Sequence, residues 1–150
     1  MIVLDTNVLS ELMRPKPSTR VVTWVANQPA AELFTTSITE AEIFYGIELL
    51  TRGKRREGLL AAAEAMFAED LEGRIFGFDS DAARVFSKIA AHRRALGRPI
   101  NHADAQIAAI ARVRGAKLAS RNVADFADCG LDLIDPWNGP ASPSDAAIRR

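Results

Sequence analysis

Cysteine and histidine are scarce in this chain of 150 residues, which has one cysteine, Cys129, and two histidines, His92 and His102. A single cysteine excludes an internal disulfide framework and a four-cysteine zinc cluster. Lysine plus arginine and aspartate plus glutamate each number 19, so no net charge attracts a polyanion from a distance. A nucleic-acid partner would therefore have to be held by local charges and metal ions.

Long apolar runs are also missing from the sequence. No segment approaches the roughly 18 apolar residues of a membrane span, and no basic stretch at the start precedes an apolar one. We therefore expect a cytoplasmic protein without membrane contact. The length and the 48% hydrophobic content predict one domain with a substantial core, which we place at residues 1–138. The segment 139–150 is rich in proline, serine and glycine, and we predict a mobile tail there.

Short apolar runs alternate with segments of helical periodicity along the chain. This alternation predicts a parallel sheet of four to five strands with helices on both faces, that is, a three-layer α/β/α domain. The predicted strands are IVL at the start and the later segments ELFTTS, RIFGF, AKLAS and LDLID.

Acidic side chains follow several of the predicted strands. Asp5 comes directly after the first strand, Glu42 lies in the helix after the second, and Asp104 opens a later helix. Asn122 and Asp125 follow the fourth strand. The carboxyl ends of parallel strands share one edge of the sheet, where ligands bind. Clustered carboxylates repel one another unless a cation compensates them, and carboxylate oxygens without cysteine or paired histidines favour Mg²⁺ or Mn²⁺.

Helix capping offers another explanation for each acid taken alone. Asp5 can cap the first helix, and Asn101 can cap the helix that contains Asp104. Ser37 with Glu40, and Thr39 with Glu42, both fit the capping-box pattern. An acid in the first turn also gains about 0.3–1 kcal/mol from the helix dipole.

Four segments in series carry a resemblance to a known family. They are IVLDTNVLSEL, TTSITEAEIFYGIELL, NHADAQIAAIA and ASRNVADFADCGLDLIDPW. In this order and spacing they closely resemble PIN-domain ribonucleases, in particular the toxin subunits of VapBC-type toxin–antitoxin pairs of the FitB-like branch. The resemblance extends over about residues 1–138.

The resemblance implies a Mg²⁺- or Mn²⁺-dependent endoribonuclease whose metal-binding catalytic acids are Asp5, Glu42 and Asp104. Such an enzyme cuts single-stranded or loop RNA and leaves 5′-phosphate and 3′-hydroxyl ends. The family's fourth acidic position is Asn122 here, a departure that removes one negative charge. Asp125, one helical turn later, can take its place as a metal ligand. Two hydroxyl positions that line such sites match Thr6 and Ser120.

The resemblance also implies a small antitoxin partner, of the VapB or FitA kind, that lies in an apolar groove and places a basic side chain among the acids. Our candidates for that groove are Leu9, Leu12, Trp24 and Phe44, although Trp24 is also explained as a core residue. Family members form homodimers or toxin–antitoxin hetero-oligomers, and they bind promoter DNA only through the antitoxin.

Clusters of basic residues can contact the RNA backbone, since phosphate binding needs local cations. A solvated helix end or loop is the more common explanation for such clusters. His102 adjoins the Asp104 segment and can touch substrate or lie on the surface. The candidate RNA contacts are Arg52, Lys54, Arg55, Arg56, Arg93, Arg94 and Arg98.

Two alternative functions remain open from the sequence. A catalytically weak PIN-like binding module, whose role is to form a complex with an antitoxin-like partner, is supported by Asn122. A phosphatase of the haloacid-dehalogenase type also begins with a strand that ends in aspartate. That chemistry requires a second aspartate two residues later, where this chain has Asn7. No nucleophile–base pair that resembles a catalytic triad is evident.

Overall fold

The computed structural model describes residues 1–138, and its centre is a five-stranded sheet in which each strand is parallel to its neighbours. The predicted tail at 139–150 lies outside the described residues. The strands are β1 (Ile2–Leu4), β2 (Leu33–Thr36), β3 (Ile75–Phe76), β4 (Lys117–Ala119) and β5 (Leu133–Ile134). They are arranged in the order β3-β2-β1-β4-β5.

Helices precede or follow every strand of this sheet. Within residues 1–138, no helix combines the length and the apolar character needed to cross a bilayer. The helices are α1 (Thr6–Leu12), α2 (Thr19–Ala26), α3 (Ser37–Glu48), α4 (Lys54–Ala65, extended by a π-helical turn at Met66–Asp70), α5 (Ser80–Ala95) and α6 (His102–Val113). Short 3₁₀ turns lie at Ala30–Glu32, Val123–Phe126 and Pro136–Asn138.

The side chains of β1 divide the core into two parts, because successive residues of a strand point to opposite faces of the sheet. Ile2 and Leu4 pack with α1, α2, α3 and α4 on one face. Val3 packs with α5 and α6 on the other face. The predicted three-layer α/β/α fold with a parallel sheet is confirmed.

The start of α3 differs from both predicted capping boxes. The cap is Thr36, whose hydroxyl accepts a hydrogen bond from the backbone N–H of Thr39 at 3.1 Å. Ser37 is the first helical residue, so Glu42 lies in the second turn instead of the first. The predicted cap of α6 is confirmed, since the Asn101 side chain accepts from the N–H of Asp104 at 2.8 Å.

Two of the four predicted groove residues lie inside the core. Leu9 is 2% exposed and Trp24 is 9% exposed, and both belong to the cluster beneath α1 to α4. Leu12 and Phe44 are half-buried and pack against that cluster. The placement of Leu9 and Trp24 in a surface groove was therefore wrong, because the apolar side of α1 and α2 faces the sheet.

We predict that Leu9→Ala lowers the free energy of unfolding by about 2–5 kcal/mol, because it leaves a cavity where a fully buried side chain was. Leu49→Ala is the matched control, since Leu49 is 69% exposed. It should change stability by less than about 0.5 kcal/mol. Urea unfolding monitored by circular dichroism measures both variants. Equal losses for the two substitutions would contradict the core position of Leu9.

Candidate acidic site

The register of the two central strands builds the site. Val3 lies beside Leu118 and Leu4 beside Ala119, so the next residues of β1 and β4, Asp5 and Ser120, leave the sheet side by side. The backbone N–H of Asp5 still donates to the carbonyl of Ala119 at 2.9 Å. In the strand order β3-β2-β1-β4-β5, the strands on one side of β1 are β2 and β3, and those on the other side are β4 and β5. The sheet therefore has its topological switch point between β1 and β4, where open α/β sheets bind ligands.

Asp5 is only 5% exposed, and hydrogen bonds fix both of its carboxylate oxygens. Oδ1 accepts from the backbone N–H of Thr6 at 2.8 Å, and Oδ2 accepts from the Ser120 hydroxyl at 2.7 Å. Asp5 is also the N-cap of α1, so the capping role and the site role belong to one side chain. The predicted meeting of Asp5 with Thr6 and Ser120 is present in the structure.

Asn7 is a site residue that we did not assign from the sequence. Its Nδ2 donates to Asp5 Oδ2 at 3.3 Å and to the Ser120 hydroxyl at 3.2 Å. Its Oδ1 accepts from the backbone N–H of Arg121 at 3.2 Å. The amide thus ties the start of α1 to the segment after β4. Its position two residues after a strand-end aspartate was the available signal.

Burial raises the pKa of Asp5 from its ordinary value of 3.8 to about 6. The hydrogen bonds from Ser120 and Thr6 oppose this shift, whereas the charges of Asp104 and Glu42 add to it. All three predicted catalytic acids are therefore close enough for their charges to interact.

Glu42 is exposed and is connected to α1 by one hydroxyl. The Thr6 hydroxyl donates to Glu42 Oε1 at 2.8 Å, and its oxygen lies 3.1 Å from that of the buried Thr39. Glu42 reaches this position from the second turn of α3, because Thr36 starts that helix directly at the end of β2.

Asp104 is half-buried at the start of α6, where Asn101 holds its carboxylate through Nδ2 at 2.9 Å. Burial raises the pKa of Asp104, the Asn101 hydrogen bond opposes the shift, and the charges of Asp125 and Glu42 add to it. Asp125 is exposed, and its effect on the pKa of Asp104 means that the two carboxylates interact electrostatically. Asn122 is also exposed, and its backbone N–H donates to the Ser120 hydroxyl at 3.1 Å. Within residues 1–138 its side-chain amide makes no hydrogen bond to an acid.

The donor set of this edge fits a hard divalent cation. It consists of carboxylate, hydroxyl and amide oxygens. Burial, with a further contribution from the charges of Asp104 and Glu42, raises the pKa of Asp5, and a bound cation would stabilise its ionised form. In the described part of the chain, no three histidine, cysteine, aspartate or glutamate side chains are close enough to hold a metal ion by themselves. Mg²⁺ commonly binds through one or two carboxylates and completes its shell with water and phosphate oxygens, so the arrangement suits that ion.

Arg93 does not have the surface position expected of an RNA contact. It is 6% exposed, and its guanidinium donates to the carbonyls of Asp125 at 2.7 Å, Ala127 at 3.1 Å and Arg98 at 2.8 Å. That prediction was therefore wrong, because the side chain points from α5 into the loop after β4. The guanidinium instead anchors the segment that carries Asp125.

The other basic candidates divide into paired and exposed residues. Arg56 pairs with Glu48 at 2.9 Å, and Arg98 pairs with Asp128. His102 is exposed and lies against the Phe86 ring, with a centroid separation of 5.5 Å. The candidates that are exposed and form no ion pair within residues 1–138 are Arg52, Lys54, Arg55 and Arg94.

A groove of about 740 Å³ adjoins the site between α1, α3 and α4. Its lining includes Thr6 and Glu42 of the acidic site, the buried Ile43 and Ile47, and the further residues Met13, Leu50, Leu59, Lys54 and Arg55. This apolar groove with a basic rim replaces the one predicted around Leu9 and Trp24.

Comparison with known proteins gives consistent matches over most of the chain. The sequence profile of the PIN domain matches residues 2–129. The VapC ribonuclease Y4jK of Sinorhizobium fredii is 39% identical over 137 residues, which cover 91% of this chain and 98% of that protein. The toxin FitB of Neisseria gonorrhoeae is 34% identical over 138 residues, covering 92% of this chain and 99% of FitB.

The fold has an equally extensive match. A chain in the solved structure of FitAB bound to an IR36 DNA fragment superposes with a TM-score of 0.88 at 33% identity. The match covers 94% of this chain and 99% of that one. These similarities favour the PIN family over the haloacid-dehalogenase alternative.

We predict a pH-dependent stability effect from Asp5. Because its pKa is raised, the folded protein binds more protons than the unfolded chain between pH 3.8 and about 6, so this group lowers stability as pH rises through that range. The full shift corresponds to about 3 kcal/mol. We therefore compare the change in the free energy of unfolding caused by Asp5→Asn, measured in EDTA, at two pH values. This change should be more favourable to the folded state by about 1–2 kcal/mol at pH 8 than at pH 4.5. Denaturant unfolding at both pH values measures this, and an effect independent of pH would contradict it.

Proposed function

This chain belongs to the PIN domain family, and we propose that it is a Mg²⁺- or Mn²⁺-dependent endoribonuclease acting as the toxin of a toxin–antitoxin pair. The relatives named above are described as a VapC ribonuclease and a FitB toxin, and both are matched over nearly their whole length. Cleavage of RNA in the cytoplasm would inhibit growth, and a cognate antitoxin would neutralise it.

The observation that carries the proposal is a buried carboxylate at the switch point of the sheet, within charge range of two other acids. Asp5 is 5% exposed, and its pKa is raised by burial and further by Asp104 and Glu42. A structural cap gains nothing from such surroundings, because each added negative charge makes the ionised form less favourable. Perturbed acids in a cleft are typical of functional sites.

Asp5, Glu42 and Asp104 would hold the cation together with water and phosphate oxygens, because within residues 1–138 no three acidic side chains are close enough to hold it by themselves. When bound, the ion supplies charge that activates water for attack and offsets the charge of the scissile phosphate. Ser120 and Asn7 fix the direction of Asp5 Oδ2, and the Thr6 hydroxyl fixes Glu42 Oε1. Asn101 holds the Asp104 carboxylate from the opposite side. These bonds orient the carboxylates before substrate arrives, so little reorganisation is needed.

We assign the fourth acidic role to Asp125. Its charge acts on Asp104, and Arg93 anchors its backbone carbonyl at 2.7 Å. Asn122 keeps the loop in register through its backbone N–H but contributes no charge.

The antitoxin is the proposed partner, in a toxin–antitoxin hetero-oligomer that contacts promoter DNA through the antitoxin. The FitAB structure that resembles this chain is itself bound to DNA. The groove between α1, α3 and α4 suits an apolar segment of that partner, since Leu50 and Leu59 line it together with the acidic Glu42. A basic side chain at the end of such a segment would meet the acids.

We predict that the purified protein, separated from any antitoxin, cleaves RNA with Mg²⁺ or Mn²⁺ and not with EDTA. Asp5→Ala should reduce the rate at least about 100-fold, because it removes a ligand of the cation. Asp81→Ala is the matched control, since Asp81 is an exposed acid in the first turn of α5. Gel analysis of total RNA and of defined oligonucleotides measures all three proteins.

The same experiment tests the alternative of a catalytically weak binding module. If the folded wild-type protein cleaves none of these RNAs with either metal, the nuclease proposal fails and the binding module becomes the better explanation. Cleavage that persists in Asp5→Ala would instead show that the acidic site is not responsible.

The fourth acidic position gives a separate prediction. Asp125→Asn should raise the Mg²⁺ concentration for half-maximal cleavage about tenfold, because charge near Asp104 is lost. Adding Asn122→Asp to that variant should restore part of the affinity, since it supplies a carboxylate at the position the family uses. Isothermal titration with Mn²⁺ gives an independent measure of binding. An unchanged Mn²⁺ affinity in Asp125→Asn would contradict the assignment.

A further inference from the structure

We propose that Arg121 and the neighbouring basic side chains Arg14 and Arg20 form a binding surface for the phosphates of a single RNA strand that enters the acidic site. This inference rests on the proposed nuclease function and identifies which residues hold the substrate. None of these three residues was among the candidates from the sequence, which lay at the start of α4 and the end of α5.

The backbone of Arg121 is fixed at the edge of the acidic site. Its N–H donates to the Asn7 side chain at 3.2 Å, and Asn7 itself contacts Asp5. The preceding residue is Ser120, whose hydroxyl donates to Asp5. Arg121 is therefore a cationic residue whose backbone is connected to Asp5 through Asn7 and through the neighbouring Ser120. Its side chain can change without removing any of these bonds.

The side chain of Arg121 is oriented by an aromatic ring and leaves its donors available. The guanidinium carbon lies over the Trp137 ring, 5.1 Å from its centroid. Across residues 1–138, no carboxylate or carbonyl accepts a hydrogen bond from this guanidinium. A guanidinium held against an aromatic ring loses little freedom when it binds, and its N–H groups suit phosphate oxygens in a bidentate manner.

Two further arginines extend the cationic surface on either side. Arg20 donates to the backbone carbonyl of Trp137 at 3.3 Å. Arg14 pairs with Glu11 at 3.2 Å, and its side chain is 64% exposed. The Ser18 backbone N–H most strongly lowers the pKa of Glu11, and the charges of Arg14 and Arg121 lower it further. Arg14 and Arg121 therefore both lie near the Glu11 carboxylate, and Arg20 is connected to Arg121 through Trp137, which both arginines contact.

The patch matches a polyanion better than a single anion. Arg14 follows α1, Arg20 lies in α2 and Arg121 follows β4, where its backbone N–H donates to the Asn7 side chain of the acidic site. Successive phosphates of a single strand need such a row of separated cations. The groove beside Glu42 lies between α1, α3 and α4, so Arg14 alone is shared between groove and patch.

The test is the salt dependence of cleavage in Mg²⁺ by wild type, Arg121→Ala and Arg121→Lys. The probe is a labelled single-stranded oligoribonucleotide that contains a site cut by the wild type. Arg121→Ala should raise KM about tenfold with a smaller change in kcat, and should reduce the slope of log(kcat/KM) against log salt by about 0.7. Arg121→Lys should keep the slope of log(kcat/KM) against log salt and lose less affinity for RNA than Arg121→Ala. Lysine retains the positive charge but lacks the planar, bidentate donors of the guanidinium.

Arg114→Ala is the matched control. The Arg114 guanidinium also lies over an aromatic ring, 4.5 Å from the centroid of Phe76, but at the β3 end of the sheet. Arg114→Ala should leave KM and the salt dependence of kcat/KM unchanged. Thermal unfolding verifies that each variant folds. If Arg121→Ala matches wild type in both readouts, the RNA-binding surface is overturned while the nuclease function stands. If the folded wild type cleaves no RNA, both proposals fail together.

Discussion

The parallel pairing of β1 with β4 is the constraint on which the rest of the site depends. It brings the carboxylate of Asp5 to within 2.7 Å of the Ser120 hydroxyl, although 114 residues separate the two in the chain. The position is costly, because a carboxylate that is 5% exposed loses most of its hydration. Hydrogen bonds from Thr6 and Ser120 offset only part of that loss, since the pKa is still raised. The burial of the ionised Asp5 thus lowers the free energy of unfolding, and it provides a carboxylate that a bound cation would stabilise.

The two helical layers contribute different parts of the site. The layer of α1 to α4 supplies Thr6 and Glu42 together with the apolar groove. The layer of α5 and α6 supplies Asp104 directly, and through Arg93 it holds the loop that carries Asp125. Because both layers pack against one sheet, the sheet sets the positions of Asp5, Glu42 and Asp104, and Arg93 fixes the loop that carries Asp125. This explains how acids with so few direct contacts are brought to one edge of the sheet.

Local patterns in the sequence predicted the fold and the places of Asp5 and Asp104 in it. The strand-end position of Asp5 and the capping pattern of Asn101 and Asp104 are visible within a few residues, and the structure confirms these positions. The errors concern which way a side chain faces. Leu9 is the residue type expected in an apolar groove, and Arg93 is the type expected at a phosphate contact. The packing of α1 and α5 nevertheless turns both side chains inward. Such orientation depends on tertiary contacts that periodicity alone does not encode.

Asn7, Arg121 and Trp137 were missed for a related reason. Each acquires its role from a partner distant in sequence, as in the bonds of Asn7 to Ser120 and to the Arg121 backbone. Because the chain has no net charge, the binding of a polyanion depends more on such local contacts than on the field of the whole protein. At physiological ionic strength, interactions between exposed charges weaken beyond about 8 Å, so a neutral chain exerts little attraction on distant RNA. Under the proposed function, RNA would be recognised at close range by a cation such as Arg121, whose guanidinium lies over the Trp137 ring. Such a surface would select strands whose phosphates fit its spacing, because general electrostatic attraction contributes little.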